Sequence, residues 1–149
     1  MIQHKILFVC IHNSARSQMA EAFLNAYGGE SLKAESAGLE AGKLNPYAVK
    51  VMHEIGVDIS KNGTQEVFGL VKKGNLYQVV ITVCDEASAE SCPIFPGNSK
   101  KMGWSFPDPS TFKGSDEEIL EQTRKVRDDI KDKVLAFIKE AQHIEFWTN

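Results

Sequence analysis

A cysteine that ends a short apolar run and precedes an arginine constrains this chain more than any other feature. Ile6–Val9 is apolar throughout, Cys10 ends the run, and Arg16 and Ser17 follow after a five-residue spacer. The apolar run predicts a buried strand, and the residues after Ser17 have helical spacing. A loop between a strand and a helix can aim several backbone N–H groups at one point, where the helix N-terminus adds positive potential.

This loop contains the groups needed to bind a tetrahedral oxyanion and to attack it. Arg16 can bind two oxygens through its planar guanidinium, and Cys10 supplies a sulfur nucleophile. A buried structural cysteine and an ordinary surface arginine are the alternatives, and the strand–loop–helix context disfavours both. We therefore predict an oxyanion site made of the whole loop: Cys10, Ile11, His12, Asn13, Ser14, Ala15, Arg16 and Ser17.

Length and composition predict a single domain over residues 1–149. One core suffices for a chain of 149 residues. The net charge of −3 makes neither nucleic acid nor a membrane an expected partner, and no apolar run approaches the about 18 residues of a membrane span. Three cysteines and an N-terminus without a signal-peptide pattern predict a cytoplasmic protein with reduced thiols. We expect a monomer, and no Cys or His spacing suggests zinc.

Strand and helix signals alternate along the chain. Apolar runs predict strands at 5–10, 33–37, 78–83 and 102–105. Helical spacing predicts helices at 17–27, 46–55 and 65–71, the second of them capped by Asn45, and a long one after a capping box of Ser115 and Glu118. Such alternation favours an open, mostly parallel α/β sheet. Ligands of these sheets bind beyond the carboxyl ends of the strands, which is where Cys10 and Cys84 both fall.

Six segments resemble the low-molecular-weight protein tyrosine phosphatase fold family, and within it the thioredoxin-coupled arsenate reductases. They are 10–21 (CIHNSARSQMAE), 36–38 (SAG), 45–46 (NP), 57–60 (VDIS), 82–93 (TVCDEASAESCP) and 106–109 (FPDP). The resemblance implies an open sheet of four parallel strands in the order 2-1-3-4, flanked by helices. Cys84 and Cys92 favour the reductases. So does Ser110, because the phosphatases typically carry a tyrosine at that position.

The resemblance implies reduction of arsenate to arsenite, and hence arsenic detoxification. The Cys10 thiolate would attack arsenic, Arg16 and the loop amides would hold the oxygens, and Asp108 would protonate the leaving oxygen. Cys84 would then attack the Cys10 sulfur, and Cys92 would attack Cys84 to leave a Cys84–Cys92 disulfide. Thioredoxin, or a glutaredoxin-type donor, would supply the reducing equivalents, and no tightly bound cofactor is implied.

The resemblance also implies roles for polar residues around the loop. Some members of the family bind a monovalent cation with ligands that match Asn13, Glu21 and Ser36, and Gln65 stands here at the fourth, acidic position. A weak cation site at the first three residues is the one metal site expected. Ser17 is expected to hydrogen-bond the Cys10 thiolate.

Two of these assignments keep a structural alternative. Asp108 could instead cap the turn that follows it, a common role for aspartate before proline. Cys84 could be a core thiol at the end of a buried strand. Asn13, for its part, is expected to help shape the loop, because asparagine tolerates the left-handed conformation such loops use.

Two other functions stay open on the sequence alone. A low-molecular-weight phosphatase acting on phosphotyrosine or another phosphomonoester would use Cys10, Arg16 and Asp108, and would not need Cys84 or Cys92. A non-enzymatic oxyanion or redox sensor would use the same pocket to signal to a partner. Replacing Cys84 by serine separates reductase from phosphatase, because only the thiol relay would lose turnover.

Overall fold

A parallel sheet organises the protein in a computed structural model that describes residues 3–84 and 99–148. The strands are β1 (His4–Cys10), β2 (Leu32–Gly38), β3 (Val79–Thr82) and β4 (Lys100–Gly103). They lie in the order β2-β1-β3-β4, and every pairing is parallel. The predicted order 2-1-3-4 is confirmed, and it places the strand that carries Cys10 inside the sheet.

Helices cover both faces of this sheet. They are α1 (Arg16–Tyr27), α2 (Pro46–His53), α3 (Val67–Lys72), α4 (Asp116–Ala141) and α5 (Ile144–Thr148), with a 3-10 turn at Pro109–Thr111. Asn45 caps α2 as predicted, since its side-chain oxygen accepts from the N–H groups of Tyr47 and Ala48. Within residues 3–84 and 99–148, no helix has the length and apolarity to cross a membrane.

Strand β1 is buried on both faces, which explains its unbroken apolar sequence. Ile6 and Phe8 belong to a core cluster formed with α1, α2 and α4. Leu7 and Val9 point to the other face and pack in a smaller cluster with residues of α3. Cys10 therefore emerges at a buried carboxyl end, where it is 2% exposed.

Helix α4 is the longest of the described helices that pack in the core, and it begins at the predicted capping box. Ser115 Oγ accepts from Glu118 N at 3.2 Å, and Glu118 Oε1 accepts from Ser115 N at 3.2 Å. One stripe of the helix is buried: Thr123, Val126, Ile130, Val134, Phe137 and Ala141. The Phe137 ring meets Trp104 edge-on at 5.9 Å, which joins α4 to the segment that leads from β4 toward Asp108.

The structure departs from the predicted boundaries at β4 and α3. Strand β4 begins at Lys100 rather than at residue 102, because Lys100 N already donates to Gln78 O at 2.9 Å. Helix α3 begins at Val67 rather than at residue 65. Gln65 is not helical, because its backbone N–H and its side chain are both engaged in hydrogen bonds at the end of β2 and in the loop after β1.

The short helix α5 was not predicted, because a five-residue element has too little periodicity to detect. It is held by Trp147, whose Nε1 donates to Ala141 O at 2.9 Å. The Trp147 ring stacks on His4 with a centroid distance of 3.6 Å. The half-buried His4 ring therefore anchors the last helix to the first strand.

We expect Ser115→Ala to lower the free energy of unfolding by about 1 kcal/mol, because the Glu118 N–H loses its acceptor. Urea unfolding followed by circular dichroism measures the change. Ser105→Ala, at an exposed position after β4, is the control and should be close to neutral. Equal losses in the two variants would contradict a capping role.

Candidate active site

The loop after β1 is built around its backbone carbonyl groups, which point away from its centre. They accept from the connection between β2 and α2: Cys10 O from Leu39 N at 3.0 Å, and Ile11 O from Glu40 N, His12 O from Gly42 N and Ser14 O from Asn45 N, each at 2.9 Å. In a trans peptide the N–H points opposite to the C=O. The N–H groups of residues 11–13 and 15 therefore point to the inner side of the loop, as an oxyanion cradle requires.

The Cys10 sulfur lies on this inner side and receives two polar contacts. Asn13 N donates to Cys10 Sγ at 3.2 Å, and Ser17 Oγ lies 2.9 Å from the same sulfur. Asn13 adopts the left-handed conformation expected of it, with φ at 56°. The sulfur is thus placed between a backbone donor and a hydroxyl at the start of α1.

The hydrogen bonds around Asn13 leave the Ser17 hydroxyl able to donate to the Cys10 sulfur. Gln65 N donates to Asn13 Oδ1 at 3.1 Å, and a backbone N–H can only donate, so the orientation of the Asn13 amide is determined. Asn13 Nδ2 then donates to Ser17 Oγ and to Ser36 Oγ, each at 2.9 Å. Since Ser17 Oγ already accepts one hydrogen bond, its single hydrogen is available for Cys10 Sγ, and this arrangement suits a thiolate.

Behind Ser36 lies the half-buried carboxyl group of Glu21. Ser36 Oγ donates to Glu21 Oε1 at 3.0 Å, and burial raises the pKa of Glu21, with a smaller push from Glu35 and an opposing effect from the Ser36 hydrogen bonds. Both side chains line a cavity of about 340 Å³, together with Gln18 and residues 62–65.

The three residues of the predicted cation site are thus joined in one network, but they do not all face the cavity. Asn13 lies behind its wall, with its side-chain oxygen engaged by Gln65 N. The monovalent cation site at Asn13, Glu21 and Ser36 stays a prediction. Over the described stretches of the chain, no group of three or more His, Cys, Asp and Glu side chains could hold a metal ion.

Arg16 reaches from the end of the loop toward the segment after β4. It is 5% exposed, its Nη1 donates to Phe106 O at 3.2 Å, and its Nη2 lies 3.4 Å from Asp108 Oδ2. Asp108 Oδ1 accepts from Ser110 N at 2.9 Å and so caps the 3-10 turn. The turn-capping alternative is therefore correct for one carboxylate oxygen, while the other oxygen faces the predicted site.

The second cysteine lies at the same edge of the sheet. Val9 is opposite Thr82 in the register of β1 and β3, and Val83 N donates to Val9 O at 2.8 Å. Cys84 therefore falls one residue further beyond the edge than Cys10. It is 4% exposed. Cys92, the third cysteine of the predicted relay, lies outside the described residues.

Sequence reasoning missed several residues that shape the site. A Cβ on Gly38 would lie 2.6 Å from Asn13 N and 2.5 Å from Glu40 O, so only glycine permits the loop to approach β2 this closely. Gln18 also contacts the loop, because its Nε2 donates to Asn13 O, and Asn62 and Gly63 in turn bind the Gln18 amide. No spacing rule connects these residues with Cys10, because the fold alone brings them together. The predicted loop includes His12, whose backbone carbonyl accepts from Gly42 N and whose side chain is exposed.

The sheet order and the loop are those of a phosphatase-like α/β protein. The chain belongs to the low molecular weight phosphotyrosine protein phosphatase family, whose model matches residues 5–144. This confirms the family that the six sequence segments suggested.

Within this family, the chain is similar to proteins known as arsenate reductases. One from Halalkalibacterium halodurans is 42% identical over 133 residues, which cover 89% of this chain and 93% of that protein. One from Bacillus subtilis is 41% identical over 137 residues, which cover 91% and 96%. A solved arsenate reductase in the phosphate-binding state matches with a TM-score of 0.74 at 31% identity, covering 93% of this chain and 98% of that chain.

Gly38→Ala should weaken phosphate binding by about tenfold or more, because the new methyl group displaces Asn13 N and the loop with it. Isothermal titration calorimetry with inorganic phosphate measures the effect. Gly69→Ala is the matched control, since nothing lies within 4 Å of its Cβ position in α3. Unchanged phosphate affinity in folded Gly38→Ala protein would show that the close approach is dispensable.

Glu21→Gln should raise the free energy of unfolding near neutral pH. Below the pKa of the unfolded chain this carboxyl is neutral in both states, and its burial destabilises the folded protein once pH rises through the raised pKa. The gain should therefore shrink toward about pH 4. Urea unfolding at both pH values, in buffer without sodium or potassium, measures it. Exposed Glu40→Gln is the control, and an equal gain at both pH values would contradict this assignment.

Proposed function

We propose that this chain reduces arsenate to arsenite through Cys10, Cys84 and Cys92. The observation that carries the proposal is the placement of buried Cys84 at the same sheet edge as Cys10, one residue further along. A hydrolytic phosphatase needs no second thiol at this point. The arsenate reductases described above, similar over about nine tenths of the chain, support the same reaction.

In the first step arsenate binds in the loop with its oxygens toward the inward N–H groups and the Arg16 guanidinium. The Cys10 thiolate, held by Ser17 O–H and Asn13 N–H, attacks arsenic. A sulfur–arsenic bond forms and an arsenic–oxygen bond breaks. The departing oxygen is an arsenate hydroxyl, which takes a proton from the protonated Asp108 carboxyl group and leaves as water.

In the second step the thiolate of Cys84 attacks the Cys10 sulfur. A Cys10–Cys84 disulfide forms, and the electron pair of the sulfur–arsenic bond stays on arsenic, which is reduced from As(V) to As(III) and leaves as arsenite. Cys92 then attacks Cys84, which returns Cys10 as a thiolate and moves the disulfide to Cys84–Cys92. Two thiols are oxidised for each arsenic reduced, so the electrons balance.

A dithiol protein of the thioredoxin or glutaredoxin type reduces the Cys84–Cys92 disulfide and closes the cycle. The relay therefore belongs in a reducing compartment such as the cytoplasm, where the three cysteines are thiols between turnovers. We propose that no tightly bound cofactor takes part, since the cysteines and the donor carry all the electrons.

Asp108 is held in place by its neighbours while its side chain stays partly exposed, as suits a general acid. Its Oδ1 is fixed by Ser110 N–H, and its Oδ2 lies beside Arg16. Because only one of its oxygens is fixed by a backbone N–H, the carboxyl group can reorient toward an oxyanion that binds to the same guanidinium. This arrangement also favours a second candidate function, hydrolysis of phosphomonoesters, which would use Cys10, Arg16 and Asp108 alone.

The decisive test is NADPH consumption with arsenate, thioredoxin and thioredoxin reductase. Wild-type protein should turn over, and Cys84→Ser and Cys92→Ser should each lose steady-state turnover, because neither can complete the relay. Ser91→Ala, next to Cys92 in sequence, is the control for Cys92→Ser and should retain activity. If the wild type fails to turn over arsenate while all forms hydrolyse p-nitrophenyl phosphate, the phosphatase is the correct function.

A further inference from the structure

We propose that Gln18 is a positioning residue that holds the Asn13 side chain and, through it, the Ser17 hydroxyl that contacts the Cys10 sulfur. The proposal rests on the proposed function in taking Cys10 as the nucleophile. Gln18 lies in the first turn of α1 and is 1% exposed. A buried glutamine amide carries two donors and an acceptor that must all be satisfied, so its surroundings are informative.

Every polar atom of the Gln18 amide has a partner. Its Nε2 lies 2.9 Å from Gly63 O, 3.1 Å from Asn13 O and 3.3 Å from Asn13 Oδ1, and its Oε1 accepts from Asn62 Nδ2 at 3.0 Å. One hydrogen thus serves Gly63, and the two oxygens of Asn13 share the other. A flipped amide would place its oxygen against three acceptors, so this orientation is the one that fits.

The shared hydrogen binds the backbone and the side chain of Asn13 at the same time. Asn13 has a φ of 56°, in the left-handed region that asparagine tolerates better than most residues other than glycine. Contact with both oxygens restrains the Asn13 peptide and the side-chain torsions together. The Asn13 side-chain amide that donates to Ser17 Oγ, and through it the hydroxyl beside Cys10 Sγ, is therefore restrained by Gln18.

The other side of the cradle does not depend on Gln18. The N–H groups of Ile11 and His12 are directed inward because the carbonyl groups of Cys10 and Ile11 bind the connection between β2 and α2. Loss of the Gln18 amide should consequently weaken the support of the thiolate more than the binding of an oxyanion. A residue that merely fills space in the core would not separate these two properties.

The experiment compares Gln18→Met with wild type by two measurements on the full chain. The rate of Cys10 alkylation by iodoacetamide, resolved from the other cysteines by peptide mass spectrometry, reports the thiolate. Calorimetry with inorganic phosphate measures how tightly the loop binds an oxyanion. We expect alkylation of Cys10 to be about tenfold slower, as for loss of a hydrogen bond to a charged group, and the phosphate Kd to change by less than about twofold.

Three further variants make the result specific. Asn62→Ala removes the partner of Gln18 Oε1 and leaves the donors to Asn13, so Cys10 alkylation should stay near wild type. Val134→Ala, at a fully buried position of α4, tests the effect of general destabilisation. It should also leave the rate of Cys10 alkylation unchanged. If Gln18→Met does not fold, Gln18→Asn keeps an amide but shortens the side chain by one methylene, and the same separation is expected.

Unchanged alkylation in a folded Gln18 variant would overturn the proposal. A parallel loss of alkylation rate and phosphate affinity would also overturn it, because Gln18 would then hold the loop as a whole. Neither measurement requires arsenate turnover. A wild type that fails to reduce arsenate would therefore count against the proposed function without deciding the role of Gln18.

Discussion

The outward hydrogen bonds of the loop carbonyls are the interaction on which the site depends. Four residues of the connection between β2 and α2 bind these carbonyls, and the geometry of a trans peptide then turns the neighbouring N–H groups inward. The connection reaches the loop because β2 pairs with β1 to the last residue, Gly38 beside Cys10. The absent side chain at Gly38 allows the contact. Sheet register, a glycine and a set of ordinary hydrogen bonds thus produce an anion cradle.

Much of this could be predicted from local signals in the sequence. The run before Cys10 indicated a central buried strand, Asn45 and Ser115 indicated helix starts, and the resemblance implied the strand order. The strand and the helix starts are readable because each depends on residues a few positions apart, whereas the strand order came from the resemblance. The C-terminal helix was missed for the same reason, since its stability depends on a ring stacked on His4 at the other end of the chain.

The parts of the site that could not be predicted depend on contacts between distant segments. Gln65 appeared in the sequence only as a departure from an acidic cation ligand. In the fold its backbone N–H determines the orientation of Asn13, and through it that of Ser17. Asp108 had two interpretations that the sequence could not separate, and the structure shows that its two oxygens have different partners. Such cases are decided by counting hydrogen-bond donors and acceptors, and the partners to be counted meet only in the folded chain.

The contact between Arg16 and Asp108 makes anion recognition a competition between two negative groups for one guanidinium. The Asp108 carboxylate is tethered beside Arg16, so its effective concentration there exceeds that of any solute. A monovalent anion that binds Arg16 only about as strongly as a carboxylate does will compete poorly with Asp108. A doubly charged tetrahedral anion can bind Arg16 and also collect the N–H groups of the loop, which Asp108 does not contact. In the proposed site, the tethered carboxylate would act as a filter against small monovalent anions and in favour of tetrahedral ones.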